Sequence, residues 1–218
     1  MTDFHARRRP VRPTTGDPSV DALVEQLRDA DAELEERVTD RRVLHSGRFM
    51  TFEHAHVALR GGSSERDMVV HPGAVVIAPI DADDNLLLVI QYRLPAGGAL
   101  LELPAGTLDV HDGNVEDPLA AAHRELEEET GYRAGSMERL GGFWSAPGFS
   151  TEYLTLYLAT DLSPATENRR GPDEDENLRL VRVPWREAVA AVRRGIIEDA
   201  KSVAGILWLA DGLADPAR

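Results

Sequence analysis

HRELEEETGY, residues 123–132, places four glutamates and one arginine in ten positions and closes on Gly131-Tyr132. Upstream, Asp117-Pro118 has the form of an N-cap followed by a first-turn proline. Gly131 suits the left-handed residue that ends a helix. On the helix so bounded, Glu125, Glu128 and Glu129 are related by i, i+3 and i+4 and share a face, with Glu127 roughly opposite. Leu119, Ala122 and Leu126 occupy a third sector and are expected to pack on a sheet. An acidic run is ordinarily a solvated face, here with one Arg124–Glu128 pair. At this spacing, however, the carboxylates repel, and nothing on the turn offsets all three. A divalent cation would. Clustered oxygens without cysteine or histidine favour Mg²⁺, with Mn²⁺ as a substitute, over zinc.

The 218 residues are 42% apolar, enough for one generous core or a core with a small appended subdomain. No apolar stretch approaches the ~18 residues that span a bilayer. The basic start, MTDFHARRRPVRPTTGDP, lacks the apolar segment of a secretory signal. Cysteine is absent, which excludes disulfides, thiolate metal sites and cysteine nucleophiles and is compatible with a reducing cytoplasm, the expected location. A net charge of −14 repels nucleic acid and anionic membranes, so neither is an expected partner. An anionic ligand would need cations recruited locally.

Outward from the acidic helix, the chain reads as strands. VLHSGRFMTFEHAHVAL (43–59), DMVVHPGAVVIAPI (67–80) and NLLLVIQYRL (85–94) precede it; RLGGFWSA, YLTLYLAT and LRLVRVP follow. PWREAVAAVRRG and DAKSVAGILWLADGL read as two closing helices, and residues 17–38 as an opening one with an apolar stripe of Val20, Leu23, Val24 and Leu27. The expected fold class is α/β, a mixed sheet sandwiched by helices with a small β piece ahead. The expected divisions are an N-terminal extension over 1–42, a β subdomain over 43–72 and a main domain over 73–210. His54-x-His56 puts two imidazoles on one strand face, but without a third ligand in the sequence they read as ordinary surface or core histidines. DADDNLL opens like a calcium loop, yet its sixth and twelfth positions, Leu86 and Tyr92, do not fit one.

Gly106, nine residues, Glu116, seven residues, then Arg124-Glu125-Leu126-Glu127-Glu128-Glu129-Thr130-Gly131-Tyr132 resembles the Nudix box, G-x5-E-x7-R-E-U-x-E-E-x-G-U with U bulky and apolar. Every position from Glu116 onward matches; the interval after Gly106 is longer by four. The resemblance implies a loop–helix–loop on a mixed sheet, with Glu125, Glu128 and Glu129 coordinating Mg²⁺ on a diphosphate and Arg124 holding the glutamates in place.

Three further features resemble the ADP-ribose pyrophosphatase branch of that superfamily. SAPGFSTE (145–152) places Pro147 fifteen residues after Tyr132. Gln91-Tyr92-Arg93 stands ahead of Glu102-Leu103-Pro104-Ala105-Gly106. The β segment before HPGAVVIAP is similar to a dimerising N-terminal domain. The resemblance implies substrate contacts from Tyr92, Arg93, Glu102 and Pro147, and a metal-ligating carbonyl at Ala105. Glu174-Asp175-Glu176 implies Glu174 as general base and Glu176 as a further metal ligand, so that Glu174, Glu128 and Arg124 form the catalytic set. Phe49 and Phe52 are the aromatics expected against adenine. The activity implied is Mg²⁺-dependent hydrolysis of ADP-ribose to AMP and ribose 5-phosphate by a homodimer. Another nucleoside diphosphate-linked substrate, such as a GDP-sugar or a dinucleotide, and a non-catalytic ADP-ribose sensor remain alternatives.

Overall fold

AVVIAP, the strand Ala74–Pro79, is buried at all six positions. An uninterrupted apolar run of this kind belongs to a strand covered on both faces, and the larger unit is layered around it. The computed structural model describes residues 15–166 and 177–214. In chain order these form α1 (Pro18–Glu33), β1 (Arg37–Ser46), β2 (Thr51–Leu59), β3 (Gly62–Val70), β4 (Ala74–Pro79), β5 (Asn85–Arg93), β6 (Gly98–Glu102), β7 (Ala105–Thr107), β8 (Val110–His111), β9 (Asn114–Val115), α2 (Pro118–Thr130), β10 (Tyr132–Trp144), β11 (Tyr153–Pro164), β12 (Leu178–Pro184), α3 (Trp185–Arg193) and α4 (Ala200–Ala214).

Residues 72–145 and 152–218 make up the larger of two units. One sheet has the order β10-β11-β4-β7, in which β11 and β4 run parallel and the other pairs antiparallel. A second, antiparallel sheet has the order β12-β5-β6. Side chains of β4 alternate between two cores. Val75 and Ile77 pack with Tyr157 and Ala159 against Ala121, Ala122 and Leu126 of α2. Val76 and Ala78 pack with Leu86, Leu88, Leu103 and Leu156, and with Ile206 and Leu209 of α4. The sheet therefore lies between α2 on one face and β5 with the C-terminal helices on the other, the mixed, helix-covered architecture expected from the sequence.

The smaller unit comprises residues 1–71 and 146–151. Its sheet is antiparallel in the order β1-β2-β3. Glu53, Ala55 and Val57 of β2 are buried, while His54 and His56 lie on the opposite face. The segment 146–151 joins β3: Val69 N–H donates to the Phe149 carbonyl at 2.7 Å and Thr151 N–H to the Val69 carbonyl at 3.0 Å. The boundary expected after residue 42 falls inside β1, because RVTDRR carries charge on an exposed strand and gives no apolar period. The run expected over 67–80 is broken by His71-Pro72-Gly73 between β3 and β4. On α1 only Val24 of the expected stripe is buried; Val20, Leu23 and Leu27 are exposed.

Candidate functional site

Both ends of α2 are set by its own sequence. The Asp117 carboxylate accepts from the N–H groups of Leu119 and Ala120 at 3.0 and 3.1 Å, and Gly131 closes the helix at φ 74°. The apolar sector differs by one residue from the expected one. Ala121, Ala122 and Leu126 are buried, whereas Leu119, in the first turn, is 43% exposed. Glu127 leaves the cluster and is held by Arg133, whose Nε and Nη2 both donate to it at 2.9 Å.

Arg124 is the hub. Its Nε and Nη2 donate to the two oxygens of Glu116 at 3.1 and 2.9 Å, and its Nη1 to Glu125 at 2.7 Å and Glu128 at 2.8 Å. The single i, i+4 pair considered from the sequence is thus one of three. Its hydrogen bonds to Glu116 hold the guanidinium charged well above its ordinary range, although burial pulls the other way. The same bonds hold the Glu116 carboxyl below its usual value.

The opposing wall is β7. A Cβ on Gly106 would stand 1.8 Å from Glu125 Oε1, so only glycine admits that carboxylate. Ala105 N–H donates to Glu129 Oε2 at 3.1 Å. The four-residue excess between Gly106 and Glu116 is the β8–β9 hairpin, whose turn residues Asp112 and Gly113 have φ of 51° and 79°, both positive as a type I′ turn requires. The insertion folds on itself and leaves Gly106 against the helix.

Beside this wall lies a second polar cluster. Arg93 donates from Nε and Nη2 to the two Glu102 oxygens at 2.9 and 2.8 Å. Lys201 also donates to Glu102, and to Asp199 at 2.9 Å. Asp199 caps α4, accepting from Ser202 N–H at 3.0 Å, while Ser202 Oγ accepts from Leu103 N–H at 2.7 Å. Burial would raise the Glu102 carboxyl, but Arg93 and Lys201 outweigh it and hold the group below its ordinary value. Arg93 stays charged chiefly through Glu102, with Glu129 and Asp199 adding to the field. That coupling joins the two clusters.

Glu102 is 1% exposed, with both oxygens engaged by Arg93 and Lys201. Tyr92 is 63% exposed at the end of β5. Pro147 lies in the 146–151 segment of the smaller unit. There too Phe49 stacks edge-on against His71, and Phe52 is exposed. Glu174 and Glu176 lie outside the described residues. Lys201 and Asp199 were missed: DAKS reads as an unremarkable helix start. One signal was present, since Lys201 is the chain's single lysine beside 23 arginines.

The profile of the NUDIX domain matches residues 70–204. The chain belongs to the NUDIX domain family. It is 39% identical over 176 residues to a methanol dehydrogenase activator of Bacillus methanolicus, covering 80% of this chain and 92% of the relative. It is 34% identical over 177 residues to an ADP-ribose pyrophosphatase of Bacillus subtilis strain 168, covering 81% and 93%. A crystal structure of an ADP compounds hydrolase superposes with a TM-score of 0.68 at 25% identity, covering 82% of this chain and 94% of that one.

In this NUDIX protein the donor set suits a hard divalent cation. Glu116, Glu125 and Glu128 converge on one guanidinium, Glu129 is held by the Ala105 N–H, and Glu125 and Glu129 are themselves buried. Buried negative charge in excess of its counter-charge is costly, and oxygen ligands match Mg²⁺ or Mn²⁺. Among the described residues no helix is long and apolar enough to cross a membrane.

Proposed function

We propose that this NUDIX hydrolase cleaves the diphosphate linkage of ADP-ribose, giving AMP and ribose 5-phosphate, with Mg²⁺ as cofactor and Mn²⁺ as substitute. The observation that carries this reading is the excess of carboxylates over cations around Arg124, on the helix that faces Gly106. The relatives named as acting on ADP-ribose and ADP compounds support the substrate class.

Glu125, Glu128, Glu129 and the Ala105 carbonyl would hold the cation, with Glu176 as a further ligand. Once bound, it neutralises diphosphate charge and acidifies a water molecule. The protein groups do the rest. Arg124 fixes the carboxylates before substrate arrives, so reorganisation at the transition state is small. Arg93, aimed by Glu102 and Lys201, offers its outer face to phosphate or the terminal ribose. Glu174 takes the proton as the water oxygen bonds to phosphorus and the bridging P–O bond breaks, the electron pair leaving with the departing phosphate. Tyr92, exposed at the end of β5, borders the sugar. The working form is a homodimer built through the β1–β3 unit, and its place is the cytoplasm, in keeping with a cysteine-free chain.

The test is a panel of ADP-ribose, an ADP-hexose, a GDP-sugar and a dinucleoside diphosphate with Mg²⁺, products identified by mass. Release of AMP and ribose 5-phosphate from ADP-ribose, abolished in Glu128→Gln, is the expected result. Binding of ADP-ribose with Mg²⁺ but without AMP release would overturn it in favour of a sensor. Preferential turnover of the GDP-sugar would retain the chemistry and change the substrate.

A further inference from the structure

The smaller unit carries a second constellation of ligating groups that the hydrolase reading does not use. His54 and His56 stand two apart on β2 and point to the same, open face. Across the ladder to β3, His54 pairs with Asp67 and His56 with Glu65. Directly paired residues project side by side, so two imidazoles and two carboxylates form a square. One ligating atom from each of His54, His56 and Glu65 lies within 4.8 Å of the other two. The third ligand that the sequence around His54-x-His56 lacks arrives from the neighbouring strand.

The fourth residue tunes the site. His54 Nδ1 is 2.8 Å from Asp67 Oδ1. An ionised carboxylate can only accept, so Nδ1 carries the proton and Nε2 presents its lone pair. A histidine held by a carboxylate on one nitrogen while the other meets a metal is the arrangement that fixes ring orientation and raises ligand basicity. On the other flank, Asp40 of β1 pairs with His56 and adds an oxygen in the same row, while Arg42 pairs with His54 and brings an opposing charge. The two rings meet edge-on with centroids 5.1 Å apart.

We propose that His54, His56 and Glu65 bind one zinc ion, with Asp67 orienting His54 and the fourth position left to water or Asp40. Imidazole nitrogen with one carboxylate suits zinc and does not suit Mg²⁺. A tetrahedral shell with Zn–N bonds of about 2.0–2.1 Å sets ligands roughly 3.3 Å apart, a contraction that side-chain torsions supply because the strands are already in register. The ion would clamp β2 to β3. This assignment is independent of the chemistry at α2.

The experiment is calorimetric titration of the untagged full-length protein with zinc chloride in excess Mg²⁺, which occupies the oxygen cluster on α2. The expected result is one zinc per chain, weakened at least about 100-fold in the His54→Ala/His56→Ala double variant and about 10-fold in Asp67→Asn, in line with the 10–100-fold loss for removal of a supporting carboxylate. Turnover with Mg²⁺ should be unchanged in both, which also reports that they fold. Equal zinc binding by wild type and the double variant, or no saturable binding by wild type, would overturn the proposal. A milder His56→Gln variant, which keeps the side chain polar, must show the same loss if the double variant is poorly folded.

Discussion

Arg124 joins three carboxylates that come from two directions, Glu116 ahead of the helix and Glu125 and Glu128 upon it. Lysine has the charge but not the planar fork. Arg124→Lys should therefore lower kcat about 100-fold, the penalty for displacing catalytic groups by ~1 Å, while far-UV circular dichroism stays unchanged. Gly106→Ala acts from the opposite wall. A methyl 1.8 Å from Glu125 Oε1 forces that carboxylate aside, so the variant should show a raised Mg²⁺ requirement in an activity titration and a loss of about 1–3 kcal/mol in denaturant unfolding. At this scale the sequence was informative about the helix, because i, i+3 and i+4 spacing alone puts Glu125, Glu128 and Glu129 together. It was silent about the contact between Glu102 and Lys201, separated by 99 positions along the chain. No local period signals a contact of that range.

Elements were readable where an apolar period or a cap announced them. α2 has both, and its N-cap is testable: Asp117→Ala removes the acceptor for two N–H groups and should destabilise the protein by about 1 kcal/mol in denaturant unfolding. β4 was visible as a continuous aliphatic run. β1 was not, because an exposed strand such as RVTDRRVLHS offers no buried face to mark the pattern. The β8–β9 hairpin explains how a box with four extra residues keeps its geometry. Two positive-φ residues reverse the chain within it, and its exposed strands carry little packing. Replacing residues 110–115 by a two-residue Asn-Gly turn should preserve Mg²⁺-dependent turnover, measured as kcat/KM, since neither Gly106 nor Glu116 has to move.

Across the whole molecule the charge balance sets the response to acid. Arg124 holds Glu116 low, and Arg93 with Lys201 holds Glu102 low against the pull of burial. A carboxyl depressed in the folded state contributes stability that is complete above its unfolded value, about 4.3 for glutamate, and is lost as pH falls through the folded one. The melting temperature should therefore hold steady from neutrality to about pH 5 and drop steeply below pH ~4. Arg93→Ala should soften that drop, as thermal unfolding at stepped pH would reveal. The chain divides into a sheeted N-terminal unit and a larger layered one. The segment 146–151 belongs with β3 through hydrogen bonds that span some eighty positions.

The solitary ε-amine has a practical reach. With 23 guanidiniums and a single lysine that is 13% exposed and tied to Glu102 and Asp199, amine-directed acylating reagents find almost no side-chain amine on the native surface. Modification of Lys201, followed by intact-mass spectrometry, becomes a clock for how often the N-terminus of α4 lifts away from β6.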